Sequence, residues 1–310
     1  VVTNTNDAPS ITSTGGTAVD EDSPYSYSIA TADDDSDSGD AWAITSDAAT
    51  SASWLTLTDG GDGTATLAGT PTDAEVGSYT VVVTVADTAG LTATESITIV
   101  VTNTNDAPSI SSTGGTAVDE DALYSYSITT ADDDSDSSDA WTITSDAATS
   151  ASWLTLTHTT GAATATLAGT PVDANVGSYT VVVTVADTAG ATATESITIV
   201  VTNTNDAPTI TSTGGTAVDE DAPYSYSIAT ADDDSDSGDG WSISHTGASW
   251  LTMTDNGDGT ATLAGTPADA QVGSHSVTVT VADTAGATAS ESITIVVTNT
   301  NDAPTITSTG

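Results

Sequence analysis

The sequence predicts an all-β chain of tandem seven-stranded Greek-key β-sandwiches in a linear array, and two observations carry that prediction. The first is repetition. VTNTNDAP occurs at 2–9, 101–108, 201–208 and 297–304, so the period is 99, then 100, then 96 residues. Between these copies VDED, YSYSI, ADDDSDS, SWLT, TATLAGTP, VADTAG and ESITIVV recur in one order. A period of this length is the size of a small β-domain and too long for a solenoid unit. The second is alternation. Tyr79, Val81, Val83 and Val85 alternate with polar or small residues, as do Ile97, Ile99 and Val101, and Tyr25, Tyr27 and Ile29. Period-2 alternation of β-branched and aromatic residues signals half-buried strands.

Taken in order, the first repeat reads as strands near 10–19, 24–30, 41–45, 53–58, 64–68, 78–86 and 93–101. Gly, Asp, Asn and Pro clusters separate them, and no stretch combines helix caps with a 3.6-residue pattern. Trp42 and Trp54 are the expected core anchors, because nothing else in the repeat offers comparable apolar area. The expected units are the end of a preceding repeat with its linker (1–9), repeats over 10–104, 105–204 and 205–300, and the start of a fourth repeat (301–310). The chain reads as a window cut from a longer array.

Composition narrows the function. Forty-four carboxylates face no Lys and no Arg, a formal net charge of −44. Such a chain repels itself and calls for cations, as screening salt or as bound ions. Nucleic acid and anionic lipid are electrostatically excluded as partners. With no Cys, neither a disulfide nor a thiolate metal site braces the fold. Two readings of the acidity stand: bound calcium, or a solvated surface suited to a saline habitat.

Strand parity places the acids. Seven antiparallel strands put the second–third, fourth–fifth and sixth–seventh loops beside the preceding linker, and the other loops beside the following one. The acids of 132–139 and Asp187 in the second repeat then face the linker Asn103-Thr104-Asn105-Asp106 from one side. Asp20, Glu21, Asp22, Asp73 and Glu75 of the first repeat face it from the other. Carboxylates, amide carbonyls and backbone carbonyls are the oxygen ligands that calcium takes.

These residues also carry a family resemblance. Asn-Asp-Ala-Pro after the last strand resembles the cadherin linker motif, and Asp134-Ser135-Asp136 resembles the cadherin Asp-x-Asp. Val185-Ala186-Asp187-Thr188-Ala189-Gly190 is similar to Ala-x-Asp-x-Gly, and Thr72-Asp73-Ala74-Glu75 stands where cadherins have Leu-Asp-Arg-Glu. PYSYSI, SWLTL and LAGTP are closer to the dystroglycan-type cadherin-like and immunoglobulin-like repeats of large bacterial surface proteins. The resemblance spans the whole chain.

It implies calcium (Ca2+) at each junction. The implied ligands at the first junction are Glu21, Asp73, Asn103, Asn105, Asp106, Asp134, Asp136 and Asp187. At the second they are Glu120, Asp173, Asn203, Asn205, Asp206, Asp234, Asp236 and Asp283, and at the third Glu220, Asp269, Asn301 and Asp302. Asp7, Asp35, Asp37 and Asp87 are their counterparts before the first repeat. Two departures imply fewer ions per junction or weaker binding. Asn103 stands where a cadherin has Asp, and Glu75 becomes Asn175 and then Gln271.

Asp59-Gly60-Gly61-Asp62-Gly63 and Asp255-Asn256-Gly257-Asp258-Gly259 hint at an EF-hand-like calcium loop. The alternative is a hairpin turn needing positive φ. The second repeat favours the turn, since His158 to Ala163 holds no carboxylate there. Glu95 shares the parity of Ile97 and Ile99 but lies at the strand end, so solvent or the end of the domain that carries the sixth–seventh loop is its expected surrounding, not a buried charge site. His158, His245 and His275 recur in no fixed place, which argues against a catalytic triad.

The expected function is a calcium-rigidified structural extender of a secreted or cell-surface adhesin or extracellular filament, not an enzyme. The alternative is a glycan- or protein-binding immunoglobulin-like module. Adjacent repeats are the expected partners, with lateral self-association into fibres as a further mode.

Overall fold

The alternating segments become the two layers of a sandwich, three times over. The computed structural model describes residues 5–34, 42–134, 140–233 and 240–307. In the first repeat the strands are β1 (Ser10–Ile11), β2 (Ala18–Asp20), β3 (Tyr25–Ala32), β4 (Ala43–Ser46), β5 (Leu55–Asp59), β6 (Thr64–Gly69), β7 (Gly77–Ala86) and β8 (Thr92–Thr102). One sheet has the order β1-β3-β6-β5 and the other β2-β8-β7-β4. The second and third repeats reproduce both sheets strand for strand. Neighbours pair antiparallel, except that β2 runs parallel to β8 with Ala18 opposite Val100 and Asp20 opposite Thr102.

Three expectations need correction. The segment 10–19 is not one strand: it pairs as β1 with β3, crosses over, and pairs as β2 with β8 in the other sheet. Gly15 lies in this crossing and packs closely, since a Cβ there would stand 2.8 Å from the Ile97 side chain. Next, a short helix, α1 (Ala48–Ser51), follows β4 and buries Ala48 against the core. Its counterpart Ala147–Ser150 serves the second repeat. Four residues are too few to show a helical period in sequence. Last, Trp42 and Trp54 are only partly buried. They lie against the core, whose centre is aliphatic: Leu67, Val81, Val83, Val85 and Ile99 are 0% exposed. Burying each of these stabilises the fold by about 1.5–3 kcal/mol. Trp54 is held edge-on between Tyr25 and Tyr79, at 5.9 and 6.1 Å between ring centroids.

Glu95, expected in solvent or at the sixth–seventh-loop end, is half-buried near the start of β8. The Tyr27 hydroxyl donates to it at 2.5 Å and lies 2.8 Å from Ser13 Oγ. Burial first, and the neighbouring Glu95 next, push the Tyr27 pKa up to about 12. The same Ser–Tyr–Glu chain recurs at Ser112, Tyr126 and Glu195, and at Ser212, Tyr226 and Glu291. It fastens the segment that crosses between sheets.

Candidate metal centre

The candidate centre is built at the end of β2. Where β2 ends, the Glu21 N–H donates to Thr102 O at 3.0 Å and the Asp22 N–H to Pro71 O at 2.8 Å. These two bonds tie the turn after β2 to the last strand and to the loop before β7. Asp22 takes φ 55°, as do Asp121 and Asp221 at 56° and 58°, a left-handed conformation that Asp tolerates better than most residues. The turn drives Glu21 inward until it is 1% exposed; Glu120 and Glu220 are each at 2%.

The two oxygens of each buried glutamate meet different surroundings. One accepts a linker amide: Thr104 N–H reaches Glu21 Oε1 at 2.7 Å, and Thr204 and Thr300 reach Glu120 and Glu220 at 2.6 Å. The other, Oε2, is buried in all three repeats and receives no amide or hydroxyl donor. An ionised, buried oxygen left this way is costly unless a proton or a cation approaches it.

What does approach is more carboxylate. Glu21, Asp73 and Asp134 each offer an oxygen, all within 4.8 Å of one another, as do Glu220, Asp269 and Asp302. Asp73 comes from a single 3-10 turn, Asp73–Glu75, and Asp134 from the following domain. A hydrogen bond with Glu21, then burial, then the charges of Glu21, Asp133 and Asp22 raise the Asp73 pKa to about 6. Burial and the charges of Asp73, Asp22, Asp134 and Asp133 raise Asp106. Asp302 is raised chiefly by the charge of Asp269. For Glu220 the Thr300 amide pulls the pKa down, but burial and Asp269 together raise it.

The linker is clamped from both sides. Asp134 accepts Asn103 Nδ2 and the Asp106 N–H, both at 3.0 Å. Asn105 Nδ2 donates to Asp187 Oδ2 at 2.9 Å, and Asn205 repeats this contact with Asp283. At the second junction a cavity of about 290 Å³ is lined by Asp121, Asp206, Asp232 and Asp233 among others.

Not every expected ligand joins a cluster. Asp187 has Oδ1 taken by Gly190 and Ala191 amides, and its pKa is held down first by the Asn105 hydrogen bond. Asp87 and Asp283 repeat this with Asn6 and Asn205. These aspartates pin the linker to the next domain. Asn105 and Asn301 turn their amides to the carbonyls of Asp106 and Asp302. Asp7, Glu120, Asp173, Asn203 and Asp206 are described but stand outside the two clusters of three. Asp35, Asp37, Asp136, Asp234 and Asp236 lie outside the described residues. Glu75 accepts the Thr72 N–H at 2.9 Å, and Asn175 and Gln271 do the same for Val172 and Ala268. This side chain caps its own turn, so Asn or Gln serves equally well. Asp22 and Asp133 are the acids that the ligand set missed, although both stand in the repeated VDED and ADDDSDS phrases.

The donor set is oxygen only, rich in carboxylates and partly buried, which suits a hard cation such as calcium and not a soft one.

Fold and site together define a class: tandem immunoglobulin- and cadherin-like β-sandwich repeats. The chain belongs to the family described as "Putative Ig domain", whose model matches residues 8–102, 107–202 and 207–298. No curated protein matches it in sequence. Among solved structures, protocadherin Gamma B2 extracellular cadherin domains 1-5 is 20% identical over 97% of this chain and 62% of its own, with a TM-score of 0.52. PcdhgB3 EC1-4 is 18% identical over 95% of this chain and 76% of its own, with a TM-score of 0.51. These likenesses show the fold. The endo-fucoidan hydrolase MfFcnA4 from glycoside hydrolase family 107 is 23% identical, with a TM-score of 0.30; this chain spans 45% of it. Among the described residues no helix is long and apolar enough to cross a membrane.

Proposed function

We propose that the chain is a structural extender of an extracellular protein, a surface adhesin or filament, whose domain junctions are stiffened by calcium. The observation that carries this reading is the convergence of Glu21 and Asp73 of one domain with Asp134 of the next, on either side of a linker that both domains hold. Glu21, Asp73, Asp106 and Asp134 would hold the ion at the first junction. Glu120, Asp173 and Asp206 would do so at the second, and Glu220, Asp269 and Asp302 at the third. The ion supplies positive charge and binds about six to eight oxygens, which ties carboxylates that otherwise repel. Without it, like charges on two domains push the connector open; with it, the two domains act as one rod. Tandem repeats of this type are typical of extracellular proteins, which supports that location.

Small-angle scattering tests the reading. Millimolar calcium is expected to lengthen and narrow the distance distribution of the 310-residue chain, and chelator to shorten it at constant ionic strength. Identical profiles in both conditions would leave the acids as a solvated surface.

A further inference from the structure

In the turn that follows β5, the outer repeats and the middle one have opposite polarity. Asp59 and Asp255 end that strand in the outer repeats and act only as acceptors. They take the N–H groups of Ile44 and Ile243 at 3.1 and 2.8 Å, and those of Gly61 and Gly257 at 3.0 and 2.9 Å. His158 fills the same place in the middle repeat. Both of its ring nitrogens face backbone carbonyls: Nε2 lies 3.1 Å from Trp141 O, and Nδ1 lies 3.3 Å from Thr164 O. A carbonyl oxygen only accepts, and a neutral imidazole has one N–H where an imidazolium has two. The neutral ring therefore sets one nitrogen lone pair against a carbonyl oxygen. The protonated ring satisfies both. The ring is half-buried beside a cavity of about 580 Å³ whose walls include Thr142, Leu154, Leu156 and Thr160. Apart from His158, the strands Thr155–His158, Thr164–Gly169 and Thr142–Ser145 and the turn 159–163 hold no titratable group. The acids around them are Asp132 and Asp133, which follow the strand whose Thr130 bonds Ala163 O, and Asp187, which follows the Ala186 paired with Thr142. Asp146 stands at the far end of Thr142–Ser145 and accepts the Val182 N–H, and Asp139 lies outside the described residues. All are negative, so none opposes a positive ring.

The geometry points to a proton-operated clamp in the second repeat: protonated His158 ties Trp141 to Thr164 and so fixes the start of an edge strand. That strand, Thr142–Ser145, is the last in its sheet and pairs on one side only, with Gly177–Ala186. Its free side depends on bonds from side chains. The outer repeats make theirs with a carboxylate, whereas the middle repeat makes it with a group that titrates near neutral pH. Deprotonation removes one of the two bonds, releases the Trp141 end of the strand and loosens the wall of the cavity. The bonded form is the charged one. Its contribution is therefore fully present below the ordinary histidine range, near pH 6.5, and is lost as pH rises above it. A change in acidity thus firms or loosens one domain of the array. The corresponding turn of the first repeat, which has no histidine, stays as it is.

Two measurements on the whole 310-residue chain at constant calcium test the clamp. In proton–nitrogen spectra of the histidine rings at pH 6, His158 is expected to show both ring N–H protons in slow exchange with water. At pH 8 at most one should remain. Hydrogen exchange, corrected for the intrinsic pH dependence of amides, gives the second reading. The Gly161 N–H, which donates to Trp141 O at 3.1 Å, is expected to be about tenfold better protected at pH 6 than at pH 8. The Gly61 N–H in the first repeat should show no such difference. His158→Gln, which can still donate but does not titrate, is expected to abolish the difference at Gly161 and keep the fold. Ring protons that exchange freely at pH 6 would overturn the clamp, and that reading needs no variant. Equal pH dependence at Gly161 in wild type and His158→Gln would overturn it as well.

Discussion

Two regions of each outer repeat are both acidic and chemically opposite. The turn after β5 carries Asp59 and Asp62, and the pole after β2 carries Glu21, Asp22 and Asp73. In the turn every carboxylate has an amide to meet. Asp59 accepts the N–H groups of Gly61 and Ile44 at 3.0 and 3.1 Å, and Asp62 accepts the Thr64 N–H at 3.1 Å. Gly61 and Gly63 take φ of 73° and 81°, which this tight turn requires. The Thr64 hydroxyl, and then its amide, hold the Asp62 pKa down. At the pole the acids meet one another, and the Asp73 pKa rises to about 6. Counting carboxylates therefore does not find a cation site. What distinguishes the pole is a buried glutamate with one oxygen, Oε2, that meets no amide or hydroxyl donor.

The contrast can be broken experimentally. The largest effect is expected from calcium itself, which at roughly a hundredfold excess over Kd stabilises by about 2.7 kcal/mol per site. Asp73→Ala with Asp134→Ala should erase this gain at the first junction alone, seen as one ion fewer in calcium calorimetry and a smaller calcium-dependent rise in melting temperature. A double variant with unchanged calcium stoichiometry would move the site elsewhere.

A smaller effect is expected in the turn. Asp59→Ala removes acceptors for two backbone amides and should cost the first domain about 1–3 kcal/mol in denaturant unfolding. That cost should be the same with and without calcium. A change in calcium stoichiometry on this substitution would restore the EF-hand-like reading of the turn.

The smallest effect concerns pH in the presence of chelator, and the two regions should move in opposite directions. Asp73 is raised in the folded state, so its contribution is fully present below the unfolded pKa near 3.8 and is lost as pH rises through about 6. Asp62 is lowered, so its contribution is present above that unfolded value and is lost as pH falls through the folded pKa. Asp73→Asn should therefore flatten the stability loss between about pH 4 and 6, whereas Asp62→Asn should flatten the acid limb below it. Unaltered profiles for both variants would mean that neither set of neighbours matters in solution.

Repetition and alternation in the sequence were enough to specify all-β sandwiches in tandem and to place nearly every strand within two or three residues. YSYSI, GSYTVVVTVA and ESITIVV bury alternate side chains because strand geometry turns successive residues to opposite faces. Parity also placed acids of two domains around one linker. Neither pattern could reveal that residues 10–19 divide between two sheets. Gly15 in that crossing packs against the side chains of Ile97 and Tyr27, and Ile97 is distant in sequence. Among the acids, Asp187 and Glu75 have the same chemistry as Asp73 and the same neighbourhood of Thr, Ala and Gly. Their separation into linker pin, turn cap and cluster member depends on which amides the folded backbone points at them, and amide directions are a property of the tertiary structure. The buried glutamate after β2 is the sharpest case. VDED supplies the charge, but only the bonds from Glu21 to Thr102 and from Asp22 to Pro71 force that charge inside, where one oxygen finds the linker and the other finds only carboxylates.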